Sequence, residues 1–228
     1  MQKGEFVRID YIGRIASTGE IFDLTSEEAA KKEGVFNPKQ KYGPVLVIIG
    51  AGTIVPGVEK KLEGMKKGEE SEFTVKPDEG FGDRDPRLIK IISISQFTKQ
   101  KLNPMPGMFV TVNGVQGRVQ GISGGRVRVD FNHPLAGKDL KYRVKLIDVV
   151  EGTLEKAKGI LEHYGIPKSE GSVLENKALK VKTPVKVPPS LSKHLAETIK
   201  KWIKEIETVD FITEEKKPES SEPEKKEK

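Results

Sequence analysis

Short apolar runs separated by glycine and proline turns constrain the fold of this chain more than any other feature. Residues 6–12 approximate the period-two alternation of a half-buried strand. The β-branched run at residues 45–49 ends at a Gly-Ala-Gly turn, and residues 71–75 follow two further glycines with the same strand character. These runs predict that the first 84 residues are β-rich.

Two short helices are predicted among these strands. Residues 25–28 have the spacing of a capping box with Thr25 as the cap, and the helix that they begin should end near Gly34. Val58, Leu62 and Met65 recur at the spacing of one helix face, which predicts a second helix from about Gly57.

The middle of the chain forms a second β-rich block. Its strand patterns lie at residues 108–112, 117–122 and 126–131. A Gly-Gly pair at residues 124–125 predicts a hairpin between the last two. Residues 141–147 then alternate again and predict one more strand.

The last third of the chain changes to helix patterns, lysine-rich stretches and a polar tail. A helix is predicted at residues 155–164, a strand at 179–187, a helix capped by Ser190, and a last strand at 209–212. The helix after Ser190 carries an apolar stripe that fits a core face or a dimer interface better than a membrane-surface helix. The stripe consists of Leu191, Leu195, Ile199, Trp202, Ile203 and Ile206.

The composition excludes several classes of function. The absence of cysteine excludes disulfides and thiolate metal sites, and the three histidines are too scattered to predict a metal site. The 40 basic and 34 acidic residues give a net charge of +6 that is spread along the chain, whereas nucleic-acid-binding domains concentrate their basic residues. We therefore predict a cytoplasmic protein with no secretory leader, membrane span, metal, cofactor or nucleic-acid partner. Abundant lysine and glutamate favour a heat-adapted source.

Five stretches in the first 84 residues together resemble the FKBP family of peptidyl-prolyl cis/trans isomerases, in that family's order and spacing. They are residues 7–13 (VRIDYIG), 19–23 (GEIFD), 52–59 (GTIVPGVE), 62–69 (LEGMKKGE) and 77–82 (PDEGFG). The resemblance implies an α+β fold in which an antiparallel sheet wraps on a short helix. It also implies an isomerase that accelerates rotation about X-Pro bonds in unfolded or partly folded polypeptides.

A long segment separates the last of these motifs from the strand that should close the family's fold. Residues 132–137 (NHPLAG) resemble the return into that fold in the SlyD-like branch, which carries an inserted β-rich chaperone domain in the flap. The C-terminal part resembles the extension of the long archaeal FKBPs, which is associated with dimerisation. The implied domains are an isomerase, an insert, a C-terminal α/β extension and a disordered charged tail: residues 1–84 with 131–151, 85–130, 152–213 and 214–228.

The implied chemistry needs a dry pocket and no nucleophile. Twisting the X-Pro bond breaks amide resonance, with a barrier of about 18–20 kcal/mol, and an apolar pocket favours the twisted form. By resemblance, the catalytic pocket consists of Tyr11, Phe22, Asp23, Ile54, Val55, Phe81 and Tyr142. Within it, the Val55 N–H should donate to a substrate carbonyl and Asp23 should accept from the Tyr11 hydroxyl.

Further residues are expected to contact substrate around this pocket: Val45, Val47, Val58, His133 and Leu135. Val58 stands where many family members have a tryptophan, which implies weaker binding of the family's macrocyclic inhibitors. Each assignment has a simpler alternative, since the aromatic residues could be core residues and Asp23 could cap a turn. His133 could equally line the pocket rim or serve only the structure.

The insert is expected to bind clients because a module this small cannot bury all of its apolar residues. The expected contacts are Ile91, Ile92, Phe97, Met105, Met108 and Phe109, although some must form the core of the module. The apolar stripe of the C-terminal helix predicts a homodimer. Two rival functions remain open, a holdase with an inactive pocket and a basic protein associated with nucleic acid.

Overall fold

The computed structural model describes residues 1–166, 172–184 and 186–213 of the chain. The predicted disordered tail at 214–228 and Val185 of the predicted strand at 179–187 lie outside these residues. The fold is mixed α+β, with three separate sheets and five α-helices in the described part. The elements in chain order are β1 (Phe6–Ile15), β2 (Ile21–Leu24), α1 (Glu27–Lys32), β3 (Val45–Ile48), α2 (Pro56–Glu63), β4 (Glu70–Val75), β5 (Ile89–Ser93), α3 (Ile94–Thr98), β6 (Phe109–Val112), β7 (Val115–Ser123), β8 (Arg126–Asp130), β9 (Leu140–Val150), α4 (Thr153–His163), β10 (Val173–Glu175), β11 (Ala178–Thr183), α5 (Pro189–Trp202) and β12 (Thr208–Thr213).

The first sheet is antiparallel and is organised around β1. This strand pairs with β9 along its whole length, from Phe6 opposite Val150 to Ile15 opposite Leu140. The first half of β1 also pairs with β3 and the second half with β2, while β4 adds to the far side of β9. The strands predicted at residues 6–12, 45–49, 71–75 and 141–147 are therefore confirmed.

Helix α2 packs its apolar face against this sheet, as the sequence predicts. Pro56 occupies its first turn, where the missing N–H costs nothing, and the helix ends at Gly64. Val58, Leu62 and Met65 are all buried in the core with residues of β1, β4 and β9. The helix thereby holds the loop before it, residues 53–55, against one end of the sheet.

Helix α1 begins one residue later than the capping-box pattern predicts. Its cap is Ser26, whose hydroxyl accepts from the Ala29 N–H at 3.2 Å. The hydroxyl of Thr25 is used elsewhere, because it donates to Asp10 at 2.8 Å and accepts from the Tyr11 N–H at 2.9 Å. Thr25 therefore ties the end of β2 to β1 instead of capping the helix.

The second sheet comprises the middle block, in the order β5-β8-β7-β6, and has a small core of its own. Gly124 and Gly125 both have positive φ, 55° and 71°, in the hairpin between β7 and β8, as predicted. The chain leaves the first sheet near Arg84 and returns near Asn132. Strand β5 and helix α3 are elements that the sequence patterns did not predict.

The third sheet comprises β10, β11 and β12, and α5 crosses over between the parallel strands β11 and β12. Helix α5 begins at Pro189 after Pro188, so Ser190 is not the cap. Its stripe is buried by the chain itself, because Leu195 and Ile199 pack in one core with Phe6 and Leu46 of the first sheet. The core alternative for this stripe is therefore correct, and the dimer prediction loses the observation on which it rested.

Candidate functional site

The register of the first sheet brings the predicted pocket residues together around Gly13. In β1, Gly13 lies opposite Asp23 of β2 on one side and opposite Tyr142 of β9 on the other. The ring of Phe22 lies directly over it, since a Cβ atom at position 13 would be 2.5 Å from Phe22 Cζ. A glycine in the middle of this strand therefore makes the space that the aromatic ring occupies.

The pocket has an aromatic wall of four rings. Phe22 meets Tyr142 edge to face at 5.7 Å and Phe81 edge to face at 6.4 Å between ring centroids. Tyr11 lies 6.1 Å from Tyr142 on the other side. Edge-to-face packing fixes ring orientations, so the wall is shaped before any ligand enters. Tyr142 is buried in the core of the first sheet, and the other three rings are half-buried against that core.

Tyr11 and Asp23 form the polar pair of this site. The Tyr11 hydroxyl donates to Asp23 Oδ2 at 2.5 Å. Burial, together with the hydrogen bond to Asp23 and its charge, raises the pKa of the Tyr11 hydroxyl well above its ordinary value. Burial and the Asp23 charge also raise the pKa of Tyr142 to about 12. The pair therefore presents a neutral phenol and an exposed carboxylate at the rim of an apolar pocket.

Ile54 and Val55 lie in the loop before α2, half-buried against the same core. The Val55 carbonyl accepts from the N–H groups of Val58 and Glu59, which begin the helix. The Val55 N–H has no acceptor among the described residues. A half-buried N–H without a partner is a donor available to a ligand.

The residues predicted to surround the pocket divide into two groups. Val45 and Leu135 are half-buried and border the core of the site. Val47 and Val58 are buried, with 2% and 0% exposure, in the core on which the pocket residues pack, and their contact with substrate stays a prediction. His133 stacks on Phe81 at 4.4 Å with nearly parallel planes, and its Nδ1 accepts from the Leu135 N–H at 3.2 Å. His133 thus holds both a pocket ring and the rim loop.

The six residues predicted for client contact in the middle block also divide by exposure. Ile92 and Phe97 are buried in the core of the second sheet, at 9% and 2%, and Met108 is half-buried against it. Ile92 and Phe97 therefore have little surface for a client, while a client contact of Met108 stays a prediction. Ile91, Met105 and Phe109 are exposed, at 69%, 60% and 53%. Two further exposed apolar residues, Val115 and Ile122, were missed, because the sequence does not show which face of a strand a residue near a hairpin occupies.

A cleft with a volume of about 600 Å³ lies between the first and second sheets. On one side it is lined by Phe22 and the loop Pro134–Leu135, and on the other by the exposed face of β6 and β7. No three His, Asp or Glu side chains of the described ranges converge where a metal ion could be held. No helix in those same ranges is long and apolar enough to span a bilayer.

An antiparallel sheet packed on a short helix, with an aromatic pocket and a hydrogen-bonded Tyr–Asp pair at its rim, defines a small α+β domain with an apolar pocket. The chain is 36% identical over 149 residues to the "Short-type peptidyl-prolyl cis-trans isomerase" of Methanocaldococcus jannaschii, which covers 65% of this chain and 94% of that protein. The chain belongs to the FKBP family of peptidyl-prolyl cis/trans isomerases.

Other similarities agree with this assignment. The "Probable FKBP-type 16 kDa peptidyl-prolyl cis-trans isomerase" of Pseudomonas fluorescens is 36% identical over 111 residues, 46% of this chain and 73% of that protein. The "FKBP-type peptidyl-prolyl cis-trans isomerase SlyD" of Helicobacter pylori is 31% identical over 116 residues, 50% of this chain and 63% of that protein. A family model described as "FKBP26, IF domain" matches residues 90–135, the middle block.

Proposed function

We propose that the pocket around Tyr11 and Asp23 is the catalytic site of a peptidyl-prolyl cis/trans isomerase. The observation that supports this most directly is the Tyr11–Asp23 hydrogen bond beside the aromatic wall, with the unpaired Val55 N–H close by in the same core. The site offers an apolar surface for a proline ring, one backbone donor and one carboxylate. This set suits an uncharged substrate whose charge distribution changes during rotation.

The reaction follows from these groups without a covalent step. The planar amide is resonance-stabilised and well hydrated, and twisting it removes the partial double bond. A proline ring held against Phe22, Phe81 and Tyr142 leaves the amide in a water-poor environment, which favours the twisted form over the planar one. The Val55 N–H fixes one substrate carbonyl, and the Asp23 carboxylate lies where it can stabilise positive charge on the twisting carbonyl carbon.

The test is the rate of X-Pro isomerisation in a short peptide with the full chain and two variants of the polar pair. Asp23→Ala removes a charge-assisted interaction and should lower kcat/KM about tenfold, while Tyr11→Phe should lower it less. Asp78→Ala and Tyr164→Phe are matched controls, because both residues lie outside the pocket and should keep the wild-type rate. Unchanged turnover in Asp23→Ala and Tyr11→Phe would favour a holdase with an inactive pocket.

We also propose that residues 85–130 act as a chaperone module that captures unfolded clients. The exposed residues Ile91, Met105 and Phe109 support this, because a separate small core leaves them without partners in the described structure. Replacing all three by serine should slow a proline-limited refolding reaction more than it slows peptide turnover. Val173→Ser, which changes an exposed apolar residue of the third sheet, is the control. Equal loss in both assays would contradict this division of labour.

We still propose a homodimer, but its interface is now strand β12 and no longer the apolar stripe of α5. The apolar stripe of α5 is buried in the core of this chain. Within the described residues β12 is an edge strand of the third sheet, and it exposes Ile212. An exposed edge with an apolar residue is a surface on which a second copy can add. Sedimentation of the full chain should show a dimer that Ile212→Lys dissociates; a monomeric wild type refutes the proposal. A cytoplasmic location also stays a prediction from the sequence.

A further inference from the structure

The cleft between the two sheets contains an arginine that no part of the proposed mechanism uses. Arg118 lies in β7 on the wall formed by the second sheet, and the opposite wall includes Phe22 and Leu135 of the proline pocket. We propose that this cleft is a second subsite for the client chain, and that Arg118 selects clients with an acidic side chain near the bound proline. This inference rests on the proposed isomerase function.

Arg118 is available to a ligand because its nearest acidic neighbour is already paired. Asp130 lies directly across the strand ladder from Arg118. The Asp130 carboxylate, however, forms an ion pair with Arg84 and accepts from Gln120 Nε2 at 3.1 Å. The Arg118 Nε donates only to the Gly107 carbonyl at 3.3 Å, and no carboxylate of the described residues pairs with its guanidinium. Arg118 lines the cleft, and most of its five N–H donors have no partner among the described residues.

The charges that line the cleft leave it positive. Arg84 and Asp130 neutralise each other, so that the remaining ionised lining residues are Arg118, Lys138 and Glu20. An acidic substrate residue in this cleft would meet a planar guanidinium, which matches carboxylate geometry with two parallel hydrogen bonds. A basic residue at the same place would meet two like charges. The cleft can therefore discriminate between substrates by charge.

The occupant of the cleft follows from its continuity with the proline pocket. A polypeptide whose proline ring lies against Phe22 must leave the pocket along one of its walls, and the cleft extends from that wall. Phe109 faces Arg118 on the neighbouring strand and offers an apolar contact beside the charged one. Gln116 lies two residues before Arg118 on the same face, where its amide can pair with an extended backbone. These side chains suit an extended chain segment with an acidic residue.

The test compares peptides that differ only in charge. Each carries one proline and a Glu, Gln or Lys placed two, three or four residues before or after it, and kcat/KM is measured with the full chain. At one of these positions the wild type should prefer Glu over Lys by about fivefold at low salt, and the preference should fade as salt screens the charges. Arg118→Glu should reverse the preference.

Arg128→Glu is the matched control, because this substitution makes the same charge change. Arg128 is exposed in the neighbouring strand β8 and does not line the cleft. This variant should keep the wild-type ratio. If wild type, Arg118→Glu and Arg128→Glu all show the same ratio of kcat/KM for the Glu and Lys peptides and still turn over the Gln peptides, the subsite is refuted. The proposed isomerase function is then unaffected. A reversal by Arg128→Glu as well would assign the effect to overall charge and also overturn the subsite. No turnover of any peptide would reject the proposed function itself, and this inference with it.

Discussion

The side-chain amide of Asn132 pairs with the backbone of Asp85 in both directions. Asn132 Oδ1 accepts from the Asp85 N–H at 2.8 Å, and Asn132 Nδ2 donates to the Asp85 carbonyl at 3.0 Å. The two residues lie in the two segments that connect the first sheet to the second. Asn132 also donates from its backbone and side chain to Asp130, which is in turn paired with Arg84. One asparagine therefore joins both connections between the first and second sheets.

Removing this amide should loosen the connection locally. In Asn132→Ala the Asp85 N–H loses its acceptor, so its hydrogen exchange should become faster by about fivefold, in line with about 1 kcal/mol for one such hydrogen bond. Asn103→Ala is the control, because Asn103 is exposed and lies away from these connections. Equal protection of the Asp85 amide in both variants would mean that other contacts hold the two segments together.

The glycine beneath Phe22 gives a second prediction. In Gly13→Ala the new methyl group overlaps the Phe22 ring, which must shift and disturb the aromatic wall. Overpacking of this kind costs about 1–3 kcal/mol, and the displaced ring should also lower the affinity for proline peptides. Gly64→Ala is the matched control, because its Cβ would meet only the Lys61 carbonyl at 3.9 Å. Thermal unfolding and peptide binding together test this, and wild-type values for Gly13→Ala would contradict the packing described.

Local sequence patterns predicted much of this fold. Which of two adjacent residues caps a helix or faces the core depended instead on contacts with residues far away in the sequence. The strands of the first sheet and the Gly124-Gly125 hairpin were evident because alternation and turn residues act locally. Thr25 and Ser26 are equally good caps in sequence, and only Asp10, across the sheet, decides between them. Ile91 and Ile92 are adjacent and identical, so the sequence cannot show which one faces the core.

The candidate site shows the same division. The resemblance named the residues of the site, but it could not predict how deeply each one is buried. Val45, Val47 and Val58 are all valines, yet Val45 is half-buried and the other two are buried. The apolar stripe of α5 was correctly identified as a buried face. A stripe shows that a helix face is buried but does not show which residues bury it. Here it belongs to one core that contains residues of α4, β11 and the first sheet, among them Ile160, Leu179 and Phe6.

The buried phenol of Tyr11 predicts a loss of stability at alkaline pH. Its pKa is raised in the folded state above the value of 10.0 expected when unfolded, so above pH 10 the unfolded chain releases a proton that the folded chain keeps. The contribution of Tyr11 is therefore fully present below pH 10 and declines as the pH rises, by up to about 1.4 kcal/mol per pH unit.

Denaturant unfolding of wild type and Tyr11→Phe between pH 9 and 12 measures this contribution. The phenylalanine variant lacks the titrating group, so its free energy of unfolding should fall less steeply above pH 10. The difference between the two curves isolates Tyr11 from lysines that titrate in the same range. Parallel curves would show that Tyr11 is not shielded as the Asp23 hydrogen bond indicates.

The shared core of the first and third sheets predicts that these two parts unfold together. Ile160 of α4 is buried in that core, so Ile160→Ala should destabilise both by about 2–5 kcal/mol. Trp202, the single tryptophan of the chain, packs against the same core and reports on the third sheet by fluorescence, while proline-peptide binding reports on the first. The two thermal transitions should coincide in the wild type and shift together in the variant.

Val119→Ala, which removes a buried side chain from the separate core of the second sheet, should leave the Trp202 transition in place. If Trp202 fluorescence instead changed well below the loss of peptide binding, the C-terminal part would be an independent unit and its contacts with Phe6 and Leu46 would contribute little to the stability of the pocket.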